Sequence, residues 1–197
     1  RDFCLSRGLG DVYKRQQKDY VLIGKERHDV GRPNDQGYPI RGIIKGDFLY
    51  LINFETSRWP AGNPETGYMN VDGSPTKTEV LKARRNPETE SYWQLSFGKR
   101  QKEELYKISE DRECIVNLAE DANYDTLKRQ MRSELLQKLA EQQDPRMLGQ
   151  GDIFDSYPYM GSARDAWNRI KKGESVPARS INKSDFEPEA SGLEVNF

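Results

Sequence analysis

Glu26-Arg27-His28-Asp29 holds the single histidine of the chain, directly after the apolar run Tyr20-Val-Leu-Ile23. An imidazole at that place can donate to or polarise a ligand oxygen, with Glu26 and Asp29 positioned to orient the ring. A solvated charged loop is the other reading of the same four residues. Arg32, Arg41 and Arg58 stand apart among Gly, Pro and Trp residues. Each guanidinium offers a planar fork of donors that suits an anionic oxyacid, or a salt bridge to one of the many carboxylates. Trp59, Trp93 and Trp167, with ten tyrosines, provide faces for sugar rings or anchors for cores and loops. One histidine excludes a His-rich zinc site built by this chain alone. Cys4 and Cys114 have no framework or metal spacing. Tyr106 and Cys114 read as structural, since nothing near Cys114 would lower a thiol pKa. No G-x-S-x-G elbow, phosphate-cradling glycine loop or H-E-x-x-H pattern occurs.

The elements that must position these groups follow from periodicity. Tyr20 to Ile23, ending at Gly24, reads as a buried strand, and the polar stretch 25–37 after it as a loop. Residues 39–54 read as two strands joined by Lys45-Gly46-Asp47. Phe48, Tyr50 and Ile52 alternate there with Leu49, Leu51 and Asn53, so one face is well buried. Residues 55–76 hold three prolines and three glycines and form a long irregular loop, functional or wrapped over the surface. A short helix is expected over Lys77 to Arg85 with Thr76 as its cap, and strands over Ser91 to Phe97 and Lys102 to Ile108. The second of these also fits a helical turn running into a strand. Tyr124, Leu127, Met131, Leu135 and Leu139 step by three and four. They predict a helix from about Asn123 to Gln142, capped by Asp121 or Asn123 and ended by Asp144-Pro145. One more short helix is expected over Ser162 to Lys171.

Composition narrows the class. At 197 residues and 22.8 kDa the chain suits one domain, or one with an extension. Only 35% of residues are hydrophobic and 32% are charged, with a mean hydropathy of -0.94. That is dry for a globular domain, where close to half are apolar. The net charge of -1, from 31 basic and 32 acidic residues, argues against high-charge disorder and against a nucleic-acid clamp. No apolar run approaches the roughly 20 residues of a membrane span. These features suggest a fragment with an exposed interface. Residues 1–16 are expected to be non-native, because Asp11 to Gln16 match the translation of a sequencing-adapter end; a genuine flexible tail is the alternative. Residues 172–197 are expected to be a loosely ordered tail.

The runs ERHDVGRPNDQGYPIRGIIKGDFLYLINF, RWPAGNPETGY, DGSPTKT and YWQLSFGKRQKEELYKISEDRECIVNLAED together resemble the C-terminal part of a type I sulfatase. The nearest likeness is to bacterial heparan N-sulfatase enzymes, over about residues 18–170. The stretch from Glu103 to Ala119 is similar to the family's E-L-Y-D-L-x-x-D-P-x-E-x-x-N-L-A, with Lys107 where Asp is usual and Arg112 where Pro is usual. The resemblance implies an α+β subdomain, a four-stranded antiparallel sheet packed on one long C-terminal helix. Its strands would lie near 39–45, 47–54, 91–97 and 103–108, in residues 31–171. Residues 17–30 would be the end of the α/β catalytic domain, with Tyr20 to Ile23 its last strand. The nucleophile (formylglycine) and the calcium ion would belong to the missing part of that domain, and Cys4-Leu-Ser-Arg7 has the wrong spacing for the sulfatase signature. The fragment would then be inactive alone and would complete the pocket for a sulfated carbohydrate. Glu26, His28 and Arg41 are the preferred substrate contacts that this implies, with Arg58 and Trp59 as further candidates on the long loop. The parent would be periplasmic or secreted, with no nucleic-acid or membrane partner. A stand-alone carbohydrate- or polyanion-binding module and a structural interaction domain are the competing readings.

Overall fold

The computed structural model describes residues 19–176 and 182–187. It is an α+β fold built on one antiparallel meander, with strands β1 (Tyr20–Lys25), β2 (Ile40–Lys45), β3 (Phe48–Asn53) and β4 (Glu103–Lys107) adjacent in chain order. Gly46, at φ 54°, makes the tight β2–β3 turn. The register pairs Tyr20 with Lys45, Ile43 with Tyr50, and Tyr50 with Leu105. Cross-strand partners share a face, so Leu22, Ile43, Phe48, Tyr50, Ile52 and Leu105 lie on one side of the sheet. Val21, Ile23, Lys25, Ile40, Leu49, Leu51, Asn53, Glu104 and Tyr106 lie on the other.

The first face is covered by a helix. Helices α1 (Pro75–Ala83) and α2 (Glu90–Phe97) precede α3 (Asp125–Glu141), which is entered through a 3-10 turn at Ala122–Tyr124. Met131, Leu135 and Leu139, one helical turn apart, are buried against Ile43, Tyr50, Ile52 and Leu105. Burial of each such aliphatic side chain contributes about 1.5–3 kcal/mol. Asp121 accepts from the Asn123 amide at 2.9 Å, which satisfies one first-turn donor. Short helices α4 (Ile153–Ser156) and α5 (Ala166–Lys171) follow.

Four expectations change. Segment 91–97 is nearly the whole of α2, not a strand, because Trp93 and Phe97 are spaced i, i+4 and both pack on Tyr68 and Leu81. The fourth strand of the sheet is therefore β1, which pairs along its whole length with β2 instead of standing apart as a leftover strand. The cap of α1 is Ser74, whose Oγ accepts from the Lys77 amide at 3.1 Å, because Pro75 suits the first helical position. The last helix begins at Ala166, after Asp165 takes a left-handed φ of 58°.

The long loop builds a core of its own. Tyr68, at its middle, packs with Trp59, Trp93 and Phe97. The buried Lys77 ammonium donates to the carbonyls of Gly67, Tyr68 and Val71, tying the loop to α1. Residues 182–187 dock on the same region. Glu187 is fully buried, accepts from the Tyr68 hydroxyl at 3.0 Å and pairs with Arg85 at 2.9 Å. Asp185, also fully buried, accepts from the Thr78 hydroxyl at 2.8 Å. This part of the tail is therefore packed. Residues 1–18, with the expected leader and Cys4, and residues 177–181 and 188–197 lie outside the described residues.

Candidate functional site

The structure does not bring the five predicted substrate contacts to one place. Glu26 and Arg41 meet, but in an ion-pair network. Arg41 Nη2 lies 2.6 Å from Glu26 Oε1, and Arg41 Nε lies 2.6 Å from Asp144 Oδ2. Arg146 pairs with both oxygens of Glu26, at 2.8 and 2.6 Å. Alternation in β2 puts Arg41 on the helix side of the sheet, at the end where α3 finishes, so the network pins strand to helix end. Arg58 donates to the Gly37 carbonyl at 3.0 Å and pairs with Asp155 at 2.8 Å, which fastens α4 to the loop after β1. Trp59 lies in the aromatic cluster of the long loop, with the Lys99 ammonium 5.2 Å from its ring centre. Arg32 is buried, and its fork is spent on the carbonyls of Trp59, Pro60 and Gln36. Burial, reinforced by the nearby Arg58, brings its pKa down to about 10.

His28 differs from these. It is exposed, and its ring has no hydrogen-bond partner among the described residues. Asp29 does not orient it; that carboxylate accepts from the Tyr159 hydroxyl and the Val30 amide. His28 instead borders a cleft of about 720 Å³ on the sheet face away from α3. Ile40, Leu49 and Leu51 form an apolar floor there. The walls come from the loop residue Tyr38, from Asn70 and Val71 of the long loop, from Leu95 in α2 and Arg100 after it, and from Cys114 and Ile115 after β4. Gly42 keeps the floor low, since a Cβ there would stand 2.5 Å from a methyl carbon of Leu51.

Polar groups in the cleft divide into the satisfied and the unsatisfied. Glu104, at the end of the floor, accepts from Asn53 Nδ2 and from the Tyr106 hydroxyl, both at 2.6 Å. Burial and that carboxylate push the Tyr106 phenol well above its ordinary pKa. Tyr38 is only 1% exposed, and among the described residues neither its hydroxyl nor Asn53 Oδ1 has a hydrogen-bond partner. Burial, with Glu104 adding to it, pushes Tyr38 up to about 12. Burial first, then repulsion from Arg32 and Arg100, lowers the Lys25 ammonium below its ordinary value. Cys114 is raised by burial and by Asp111, Glu104 and Glu113, so its thiol is a poor nucleophile at neutral pH.

Lys25, Tyr38, Asn53 and Arg100 were absent from the sequence-based candidates. Alternation carried a signal for two of them, since it places Lys25 with Val21 and Ile23, and Asn53 with Leu49 and Leu51. Nothing local marks Tyr38 or Arg100, which arrive from loops far apart in the chain.

No protein-family model matches the chain, and no curated protein matches it. Among the described residues there is no group of three or more His, Cys, Asp or Glu side chains that could hold a metal ion. Among them, too, no helix is long and apolar enough to cross a membrane.

Proposed function

We propose that this chain is the C-terminal region of a sulfatase acting on sulfate esters or sulfamates of sulfated glycans such as heparan. In this reading its cleft forms part of the substrate-pocket rim. The observation that carries the reading is His28 opening, without a partner, on a cleft bordered by Lys25, Arg27 and Arg100. The likeness of the flanking runs to sulfatases supports it, as does the antiparallel meander packed on α3. Val21 and Ile23, 57% and 37% exposed on the cleft side of β1, suit a face that a neighbouring domain covers. The preceding catalytic domain would supply the formylglycine nucleophile and the calcium ion, and a periplasmic or secreted setting follows from the family. This chain's own residues would bind and orient the sugar. His28, neutral or protonated, can donate to a sugar oxygen, and the cations offset the charge of the sulfate.

The test uses the full-length gene. A C-x-P/A-x-R motif in frame upstream of Gln17 and hydrolysis of N- or O-sulfated glucosamine are expected. His28→Ala in that enzyme should raise KM or lower kcat. An upstream sequence without the motif, or a folded full-length protein without sulfatase activity, would remove the reading. A stand-alone polyanion-binding module is the second reading, favoured by Lys25 and Arg100, which meet no carboxylate among the described residues. It requires the chain alone to bind heparan fragments tightly.

A further inference from the structure

We propose that the cleft is a seat for an oxyanion borne on a sugar ring, in which the Lys25 ammonium and the Arg100 guanidinium hold the charged group over the apolar floor of Ile40, Leu49 and Leu51. Identification of the ring as a glycan unit rests on the sulfatase reading; the anion seat does not.

Charge pairing elsewhere in the molecule makes the two cations stand out. Arg41, Arg146, Arg58 and Lys45 each face a carboxylate within 3 Å. Lys77, which has no close acid, is satisfied by three carbonyls. Lys25 has neither: among the described residues its ammonium meets only the Tyr38 ring, 5.8 Å from its centre. The guanidinium of Arg100 donates to the Leu95 carbonyl and, among the described residues, to no carboxylate. Glu104 forms no ion pair with either of them among the described residues; its oxygens accept from the neutral Asn53 and Tyr106 side chains, and its charge offsets only part of theirs. The other acid of the lining is Glu113, against the cations Lys25, Arg27 and Arg100 and the fully buried Arg32 behind Tyr38.

A partly buried ammonium beside two guanidinium groups is unfavourable, because desolvation and like-charge repulsion act together. That cost is visible in the lowered pKa of Lys25. A bound anion would reverse both effects, since a charge-assisted hydrogen bond in a half-dry cleft is stronger than one in water. The Tyr38 hydroxyl, without a partner among the described residues, shares these electrostatic neighbours: Glu104, Arg100 and Arg32. An apolar floor with cations at its edge suits the face of a pyranose ring that carries one charged substituent.

Titration of the 197-residue chain with an N-sulfated glucosamine disaccharide, followed by calorimetry and by amide NMR shifts, tests the seat. Glucuronate and neutral N-acetylglucosamine serve as comparison ligands. The sulfated sugar should bind and shift the amides of β1 and of residues 99–101, while the neutral sugar should bind at least tenfold more weakly. Lys25→Met and Arg100→Gln should each weaken binding by about tenfold, and Lys25→Arg should retain it. Unliganded Lys25→Met should melt no lower than the parent, because the lysine forms no bond that the fold needs. Tighter binding of glucuronate than of the sulfated sugar would identify the anion as a carboxylate and still support the seat. Equal affinity for charged and neutral sugars, or an unchanged affinity in Lys25→Met with its melting temperature intact, would overturn it. Anion binding that depends on Lys25, alongside a full-length protein with no sulfatase activity, would leave the seat standing and remove the sulfatase reading.

Discussion

Tyr38 shows how a single side chain can be structurally expensive. The Lys25 ammonium and the Arg32 guanidinium lie 5.8 and 5.9 Å from its ring centre, while among the described residues its hydroxyl finds no partner. A buried donor left unmade costs roughly 1–3 kcal/mol. Tyr38→Phe should therefore hold or raise the thermal midpoint of the unliganded chain, as differential scanning calorimetry would show; a clear fall would mean that the hydroxyl has a partner it needs. In the core the sign reverses. Leu135 is fully buried against the sheet, and Leu135→Ala should cost about 2–5 kcal/mol in denaturant unfolding. Such core positions were legible from spacing alone, since Met131, Leu135 and Leu139 repeat at the helical period. The roles of the polar candidates were not. Glu26, Arg41 and Arg58 have the residue types of a binding site, but their partners Asp144, Arg146 and Asp155 lie roughly a hundred residues away in sequence. No local pattern reveals such a partner.

Strand β2 is tied by charge toward both of its ends, to the middle of α3 and to the residues just past it. Lys45 pairs with Glu134 at 2.8 Å near one end, and Arg41 pairs with Asp144 near the other. Burial works against the Asp144 carboxylate, but the Arg41 hydrogen bond and charge, with the Arg146 amide, outweigh it and hold its pKa below the ordinary 3.8. A depressed carboxyl contributes stability that is present above its unfolded pKa and is lost as pH falls through the folded one. Unfolding of the parent should therefore steepen below pH 3.8, and Asp144→Asn should show a shallower acid dependence. At neutral pH that variant should lose about 2 kcal/mol, since Arg41 keeps Glu26 but forfeits one charge-assisted bond. Equal pH profiles for the two proteins would mean that the network is not what couples strand to helix. The misassigned element is instructive at this scale. Segment 91–97 alternates well enough for a strand, yet Trp93 and Phe97 need the i, i+4 spacing of a helix to reach Tyr68 together. The partner chose the conformation.

Among the described residues, three small cores replace the single large one that a chain of this length would usually form: sheet against α3, long loop against α1 and α2, and the Val30, Met69 and Ala166 cluster under α5. This accounts for a mean hydropathy of -0.94 in a chain that still folds. Much of the interior is wired by polar contacts in place of apolar volume, as Arg32, Lys77, Glu65 and Glu187 illustrate. The segment 182–187 belongs to that wiring. Glu187→Ala would leave Arg84, Arg85 and the Tyr68 hydroxyl without their buried carboxylate, at a cost of about 2–4 kcal/mol. The segment should then become sensitive to limited proteolysis, with fragments mapped by mass spectrometry. Protection equal to that of the parent would show that Asp185 and the Thr78 contact hold it without Glu187.

The sequence by itself determined the hairpin at 40–53, the helix at 125–141 and the two faces of the sheet, because side-chain periodicity is a local property of the backbone. Tertiary structure alone decided which arginines are spent internally and which cations stay unpaired, and that β1 and not segment 91–97 completes the sheet. It decided as well that His28 opens on a cleft with Lys25 and Arg100. The physical reason is the same in each case: an ion pair, a strand edge or a cleft is made by groups distant in the chain, and whether a charge is neutralised depends on what folding brings within about 3 Å of it.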